Sequence, residues 1–236
     1  MALETNLISN WSFEGDSNDN KGSNDGTDTS ITYGASYGKI SKGASFNGAS
    51  PSYIKLPANI RNSFPMSFNT WFYRSGTDDG ALFSNMVGAP YLVGPLFRFA
   101  IVESAGVKKI GMYCRTSGYS DNTYESAEVT IPAGWNMVTF TVETGSNNVK
   151  FYLNGSSIYT GTLSSSDYFN SQVWIIGAWY DSGYNQKYTG YLDEMSLWSS
   201  ILSTTYISSL YNNGAGLYFN GTNFVKNNLS NFLQFF

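Results

Sequence analysis

Apolar and polar residues alternate with a period of two along most of the chain. The pattern runs through "NLISNWSFEG", "GASFNG" into "SYIKLP", "MSFNTWFYRS", "GALFSNMV", "PLFRFAIVES", "KKIGMYCRTS", "YESAEVTIP", "WNMVTFTVET", "VKFYLNGSSIY", "QVWIIGAWY" and "GYLDEMSLW". Residues two apart share a face of a strand, so each run offers one apolar and one polar face. Clusters of Gly, Asn, Ser and Asp separate the runs, the punctuation of an antiparallel sandwich or barrel. "ETGSNNVK" reads as a hairpin loop, and Asn154-Gly155 is the pair favoured in type I′ turns. Helical spacing follows Ser203, a candidate cap for "LSTTYISSLYNNG". There Tyr206, Ile207 and Leu210 line up before Gly214 stops the helix. The expected fold is all-β: a two-sheet antiparallel sandwich with one short helix near the C-terminus. No Pro- or Ser-rich linker divides it.

The run "GYLDEMSLW" poses a chemical question. Strict alternation puts Tyr191, Asp193, Met195 and Leu197 on one face, and Leu192, Glu194, Ser196 and Trp198 on the other. Asp193 then points into the core with Met195 and Leu197. An inward carboxylate is costly unless a charge or several donors meet it.

Composition agrees with short strands joined by polar turns. Of 236 residues, 17% are aromatic and only 13% charged, against a usual charged share of about a quarter. The 13 Lys and Arg are scattered, with Lys108-Lys109 the nearest approach to a basic run, and the net charge is −4. Such a chain lacks the phosphate-tracking patch that nucleic-acid binding requires. Cys114 is the single cysteine, so neither an intrachain disulfide nor a Cys-rich zinc site exists; in "IGMYCRTS" it reads as strand filler. The absence of histidine removes Ser-His-Asp and Cys-His catalysis and imidazole metal sites. A metal here would be bound by oxygen, which favours Ca²⁺.

The opening "MALETNLISNWSFEG" has no basic and apolar regions of a secretory signal, and no window reaches the ~18 apolar residues of a membrane span. At the other end, "LYFNGTNFVKNNLSNFLQFF" is rich in aromatics. Residues 217–236 read as a last strand with a tail, or as a docking segment for a partner or another copy.

Candidate sugar-binding chemistry lies in two loop-like segments. "GAWYDSGYNQKYTGY" supplies Trp179, Tyr180, Asp181, Tyr184, Asn185, Gln186 and Tyr188; "TSGYSDNTYES" adds Tyr119, Asp121, Asn122 and Tyr124. Sugar rings stack on aromatic faces while their hydroxyls bond to neighbouring amides and carboxylates. Paired catalytic carboxylates are not evident. Asp193 and Glu194 are adjacent, Glu125 and Glu128 fall on opposite faces, and Asp78-Asp79 sits in the turn-like "RSGTDDGA".

At "GYLDEMSLWSSILSTTYISSLYNNG" the sequence resembles the end of a laminin G-like jelly roll of the concanavalin A-like lectin/glucanase superfamily. "NLISNWSFEG…GSNDGT", "SFPMSFNTWFYRS" and "GWNMVTFTVE…VKFYLNGSSI" resemble its opening strand and Asn-Asp-Gly turn, its Ser-Phe strand before a core Trp, and its paired strands ending in Leu-Asn-Gly. The resemblance covers about residues 6–216. It implies a jelly roll over 1–216, with 217–236 as the appended segment. It also implies a structural Ca²⁺ held by Asp193 with Glu14 or Asp16. The other reading of Asp193 is a carboxylate met by backbone N–H groups or by Arg or Lys. "DSNDNKG" from Asp16 to Gly22 echoes an EF-hand loop, but its glycine comes one place late and Thr27 stands where a bidentate Glu belongs, so it reads as a polar turn.

The function expected is non-enzymatic recognition or adhesion, by glycan binding or assembly docking. A virion surface, as a phage decoration, fibre or tail-associated protein, or another extracellular site suits a jelly roll without a leader. A secreted bacterial carbohydrate-binding module comes next, then a glycoside hydrolase.

Overall fold

The computed structural model describes residues 2–48, 51–75, 80–85, 96–104, 107–116, 121–126, 128–163, 169, 173–180 and 184–226. The first strands are β1 Leu7–Trp11, β2 Thr27–Thr29, β3 Thr32–Gly34, β4 Gly43–Asn47, β5 Tyr53–Ala58 and β6 Met66–Arg74. Next come β7 Gly80–Asn85, β8 Leu96–Ser104, β9 Val107–Arg115, β10 Asp121–Glu125, β11 Trp135–Val142, β12 Gly145–Leu153 and β13 Ser156–Leu163. The chain continues through β14 Val173–Ile176, β15 Trp179–Tyr180, β16 Tyr184–Asn185, β17 Thr189–Trp198, helix α1 Thr204–Tyr211, β18 Leu217–Phe219 and β19 Phe224–Lys226.

Two antiparallel sheets stack face to face. One runs β13-β12-β11-β6-β17-β4-β3, with β1 also paired to β17; the other runs β10-β9-β8-β7-β14-β5-β2. This is the sandwich that the alternation predicts. Inward residues of the two sheets meet as a stack of aromatic rings. Phe68 lies flat on Phe83 at 4.8 Å and on Phe99 at 5.4 Å, Phe99 on Phe140 at 4.1 Å, and Phe83 on Trp174 at 4.7 Å. Cys114 is buried in the same core. Asn154 and Gly155 both have positive φ, as a type I′ hairpin turn requires. Ser203 caps α1 by accepting from the Tyr206 N–H at 3.3 Å. The stop, however, falls at Asn212 in the left-handed region, two residues before Gly214.

A second apolar cluster lies on the outer face of the first sheet. Trp71, Met137, Tyr152 and Trp198 are covered there by Ile207 and Leu210 of α1, by Leu202 and by Phe219. Trp71 is thus buried outside the sandwich core. The hairpin β18–β19 belongs to this cover: Phe224 stacks on Trp198 at 5.8 Å and Glu4 Oε1 accepts from the Phe224 N–H at 2.8 Å. Residues 227–236, the rest of the expected docking segment, lie outside the described residues. Among the described residues, no helix is long and apolar enough to cross a membrane.

The central ring stack predicts a large cost for a cavity. Phe140→Ala should lower the unfolding free energy by about 3–5 kcal/mol, read from the urea midpoint at unchanged slope; a loss below about 1 kcal/mol would mean that the rings do not pack as one unit.

Candidate functional site

Strand β17 departs from strict alternation, and the departure decides where its acids go. Glu194 has φ 47°, and the pairing of β17 with β6 shifts between Asp193 and Ser196. This bulge adds a residue to one side of the ladder and reverses the parity beyond it. Leu192, Met195 and Leu197 face the core, while Asp193 faces outward beside Trp71. The expectation that Asp193 shares a face with Met195 and Leu197 is therefore corrected. Asp193 is buried all the same, because the segment before β4 lies over it.

Backbone meets its charge. Asp193 Oδ2 accepts from the N–H groups of Lys39 and Ile40, both at 2.7 Å, and Oδ1 accepts from the Glu194 N–H at 2.8 Å. Glu194, 3% exposed, accepts from the Phe219 N–H at 3.3 Å through Oε2 and is bonded by the Asn10 side chain. Burial pushes both carboxyls well above the ordinary range. The charge of Asp193 raises Glu194 further, and Glu14 adds repulsion to both. Three N–H donors meet Asp193, whereas Glu194 has one N–H donor and the Asn10 side chain, so Asp193 is the better compensated of the two.

The residues expected to hold calcium each have hydrogen-bond donors in the structure. Asp193 is occupied by N–H donors, Glu14 Oε1 accepts from the Lys42 N–H at 3.3 Å, and Asp16 accepts from the backbone and side chain of Asn18. Among the described residues no group of three or more acids or thiols is placed to hold a metal. The polar turn after β1 is instead organised by Asp19. It accepts from the N–H groups of Asn10, Lys21 and Asn24 at 3.0, 3.0 and 3.1 Å.

Of the segments expected to bind sugar, Trp179 lies on the outer face of the second sheet. Trp179 lies 4.8 Å over the Arg98 guanidinium and 6.0 Å from the Tyr113 ring, and Arg115 on the same strand as Tyr113 bonds the Tyr113 hydroxyl at 2.9 Å. β15 and β16 form a hairpin that pairs Trp179 with Asn185 and Tyr180 with Tyr184, and Asn122 on β10 pairs with Cys114. Asp181 and Tyr119, like Asp78-Asp79, lie outside the described residues. Two aromatics of these segments are structural. Tyr188 is fully buried with its hydroxyl donating to the Tyr73 carbonyl at 3.0 Å, and Tyr124 packs into the core.

A different aromatic surface lies on the first sheet, where α1 and its neighbours leave the outer face open. Register pairs Tyr191 with Tyr73 and Tyr73 with Trp135 across β17, β6 and β11. Tyr37, from the short turn before β4, packs on Tyr191 at 5.1 Å; Tyr191 stacks on Tyr73 at 5.3 Å; Tyr73 meets Trp135 edge-on at 5.9 Å. All four are partly exposed. Ser45 and Asn47 of β4 and Thr189 of β17 flank the row with polar groups. The sequence signal was available: Trp71, Tyr73, Trp135 and Tyr191 alternate against the core residues Phe72, Val138 and Leu192. The aromatic row is what this face offers a ligand.

A family model described as the concanavalin A-like lectin/glucanases superfamily, laminin G-like, matches residues 46–208. No curated protein matches the chain in sequence. Among solved structures, domain 4 of AbnA, a GH43 extracellular arabinanase from Geobacillus stearothermophilus in complex with arabinotriose, superposes with a TM-score of 0.65 at 23% identity. That match covers 86% of this chain and 97% of that one. The Ruminococcus gnavus IT-sialidase CBM40 bound to alpha2,3 sialyllactose gives 0.58 at 15% identity, covering 79% and 96%. The binding domain of Paraclostridial Mosquitocidal Protein 1 gives 0.65 at 15%, covering 90% of this chain, which spans about half of that one at 53%. At these identities the likeness is one of fold.

The buried acid pair makes stability depend on pH. Unfolded, both carboxyls titrate near pH 4, whereas the fold holds a proton to higher pH. Stability from this source is full below that range and is lost as pH rises through the raised value. Melting from pH 4 to 9 should show the decline in the native protein and a flatter profile in Glu194→Gln; identical slopes would mean that Glu194 does not set the pH dependence. Asp193→Ala strands three N–H groups and should lower stability by about 1–3 kcal/mol, measured by denaturant unfolding.

Proposed function

This chain belongs to the laminin G-like family of the concanavalin A-like lectin/glucanase superfamily, and we propose that it acts as a non-catalytic module that binds glycan across the open aromatic face. The row Tyr37–Tyr191–Tyr73–Trp135 carries the proposal. Aromatic faces take the apolar faces of sugar rings, and the phenol hydroxyls with Ser45 and Thr189 supply lateral hydrogen bonds. Tyr191, Tyr73 and Trp135 stand on three neighbouring strands and Tyr37 packs on them from the turn before β4, so the geometry is fixed before ligand arrives and little ordering entropy opposes binding. Two structures of similar fold hold arabinotriose and sialyllactose, which supports a sugar as the class of ligand.

The acids of β17 support a non-catalytic role. A glycosidase needs an acid and a nucleophile or base flanking the scissile bond. Asp193 and Glu194 are sealed from solvent and engaged by backbone donors, so neither reaches a substrate.

A glycan-array assay on the folded protein tests the proposal. Tyr191→Ala should weaken binding by up to about tenfold, the worth of one stacked ring, with Trp179→Ala unchanged. Binding lost on Trp179→Ala but kept on Tyr191→Ala would move the site to the other sheet, and silence from folded protein would end the glycan reading. Parallel runs with calcium and with EDTA test the calcium expectation.

A further inference from the structure

We infer that Asp193 is a positioning residue for recognition: it seats Tyr37 against Tyr191 and thereby gives the site a place for a second sugar ring. This rests on the glycan-binding reading above. The three rings on strands close on one another: Tyr191, Tyr73 and Trp135 have pairwise centroid separations of 5.3, 5.9 and 6.4 Å. Rings so close are in contact and each hides part of its neighbours, so together they offer stacking surface for about one sugar ring. Tyr37 extends that surface. Among the described residues its ring contact is with Tyr191 alone, at 5.1 Å, which puts it at the outer end of the patch.

Tyr37 is the one ring of the four that no strand holds. It ends the short turn Ala35–Tyr37, and its place depends on the loop that runs from it to Gly43 at the start of β4. That loop closes tightly. A Cβ at Gly38 would meet the backbone of Ser41 and Lys42 at 2.6 Å, and one at Gly43 would run into the Tyr37 carbonyl. With its two ends in backbone contact, the loop moves as one piece. Its hold on the sheet centres on Asp193, a fully buried side chain whose Oδ2 accepts from the Lys39 and Ile40 N–H groups, both at 2.7 Å. Asp193 and Tyr191 lie two apart on the outward side of β17, before the bulge at Glu194. One strand therefore carries both the ring that Tyr37 stacks on and the carboxylate that fixes the Tyr37 loop.

Calorimetry on the full chain tests this with two pairs of probes, arabinose with arabinobiose and galactose with lactose. The disaccharide of at least one pair should bind the native protein about fivefold more tightly than its monosaccharide. Tyr37→Ala and Asp193→Ala should each bring that ratio close to one, and the double variant should lower it no further, because both remove the same ring position. Tyr73→Ala should weaken both members alike and keep the ratio. Circular dichroism checks that each variant is folded at the temperature used. Should Asp193→Ala not fold, Asp193→Asn decides: it keeps the side-chain volume and should lower the ratio in smaller measure. A native ratio near one, or a ratio that survives Tyr37→Ala or the Asp193 substitution, overturns the inference. So does an Asp193 variant that weakens both members alike, as a merely loosened fold would, and so does binding of none of the four probes. If array glycans still bind through Tyr191 in those cases, the glycan-binding reading stands alone. An array without a hit defeats both.

Discussion

The carboxylate of Asp193 sits where one strand changes partners. β17 pairs with β4 through Thr189–Leu192 and with β1 through Met195–Trp198, while β6 runs along its other edge. Between the two partners the ladder is interrupted, and backbone N–H groups of the segment entering β4 have no strand to pair with. Asp193 supplies the missing acceptor to Lys39 and Ile40. An unpaired buried N–H costs about as much as a lost hydrogen bond, so one side chain replaces two ladder bonds. The bulge at Glu194 sets that side chain toward the gap. It also carries the Glu194 carboxyl to the Phe219 N–H of the hairpin β18–β19, so the same two residues tie the last strands to the central one.

The switch has a consequence for the exposed face. Asp193 and Tyr191 are two apart on the outward side of β17, and the segment fixed by Asp193 is the one that carries Tyr37. The Lys39 ammonium lies 4.7 Å over the Trp71 ring, close to the border between the covered and open halves of the sheet. On one side of that border α1 and the hairpin bury Trp71 and Trp198; on the other the four rings stand open. The four rings are partly exposed on this half of the sheet, which is the surface that the proposed function uses.

Much of the fold was legible because period-two alternation is a direct readout of which side chains face a core. The strands through Phe68, Phe140 and Trp174, the Asn154-Gly155 turn and the Ser203 cap all follow from local chemistry. The parity of β17 did not follow, since a glutamate with positive φ has no sequence signature; its conformation is imposed by the change of partner. The helix stop moved for a related reason: Asn, like Gly, tolerates the left-handed region, and Asn212 comes first. For the site, aromatics in loop-like segments were the natural candidates. Yet Tyr188 is a core residue, and three of the four rings of the row lie on strands. Alternation does mark Tyr73 and Trp135 as outward. Whether an outward aromatic is covered depends on where the helix lands, and that is a tertiary fact.

Under the proposed function, the aromatic row carries recognition. Stacking on a flat set of rings is tolerant, because sugars of many kinds present an apolar face; it supplies affinity with little choice. The spacing of the rings then rests on how the first sheet and the turn before β4 are held in register, which is the task of the Asp193 junction at the centre of that sheet.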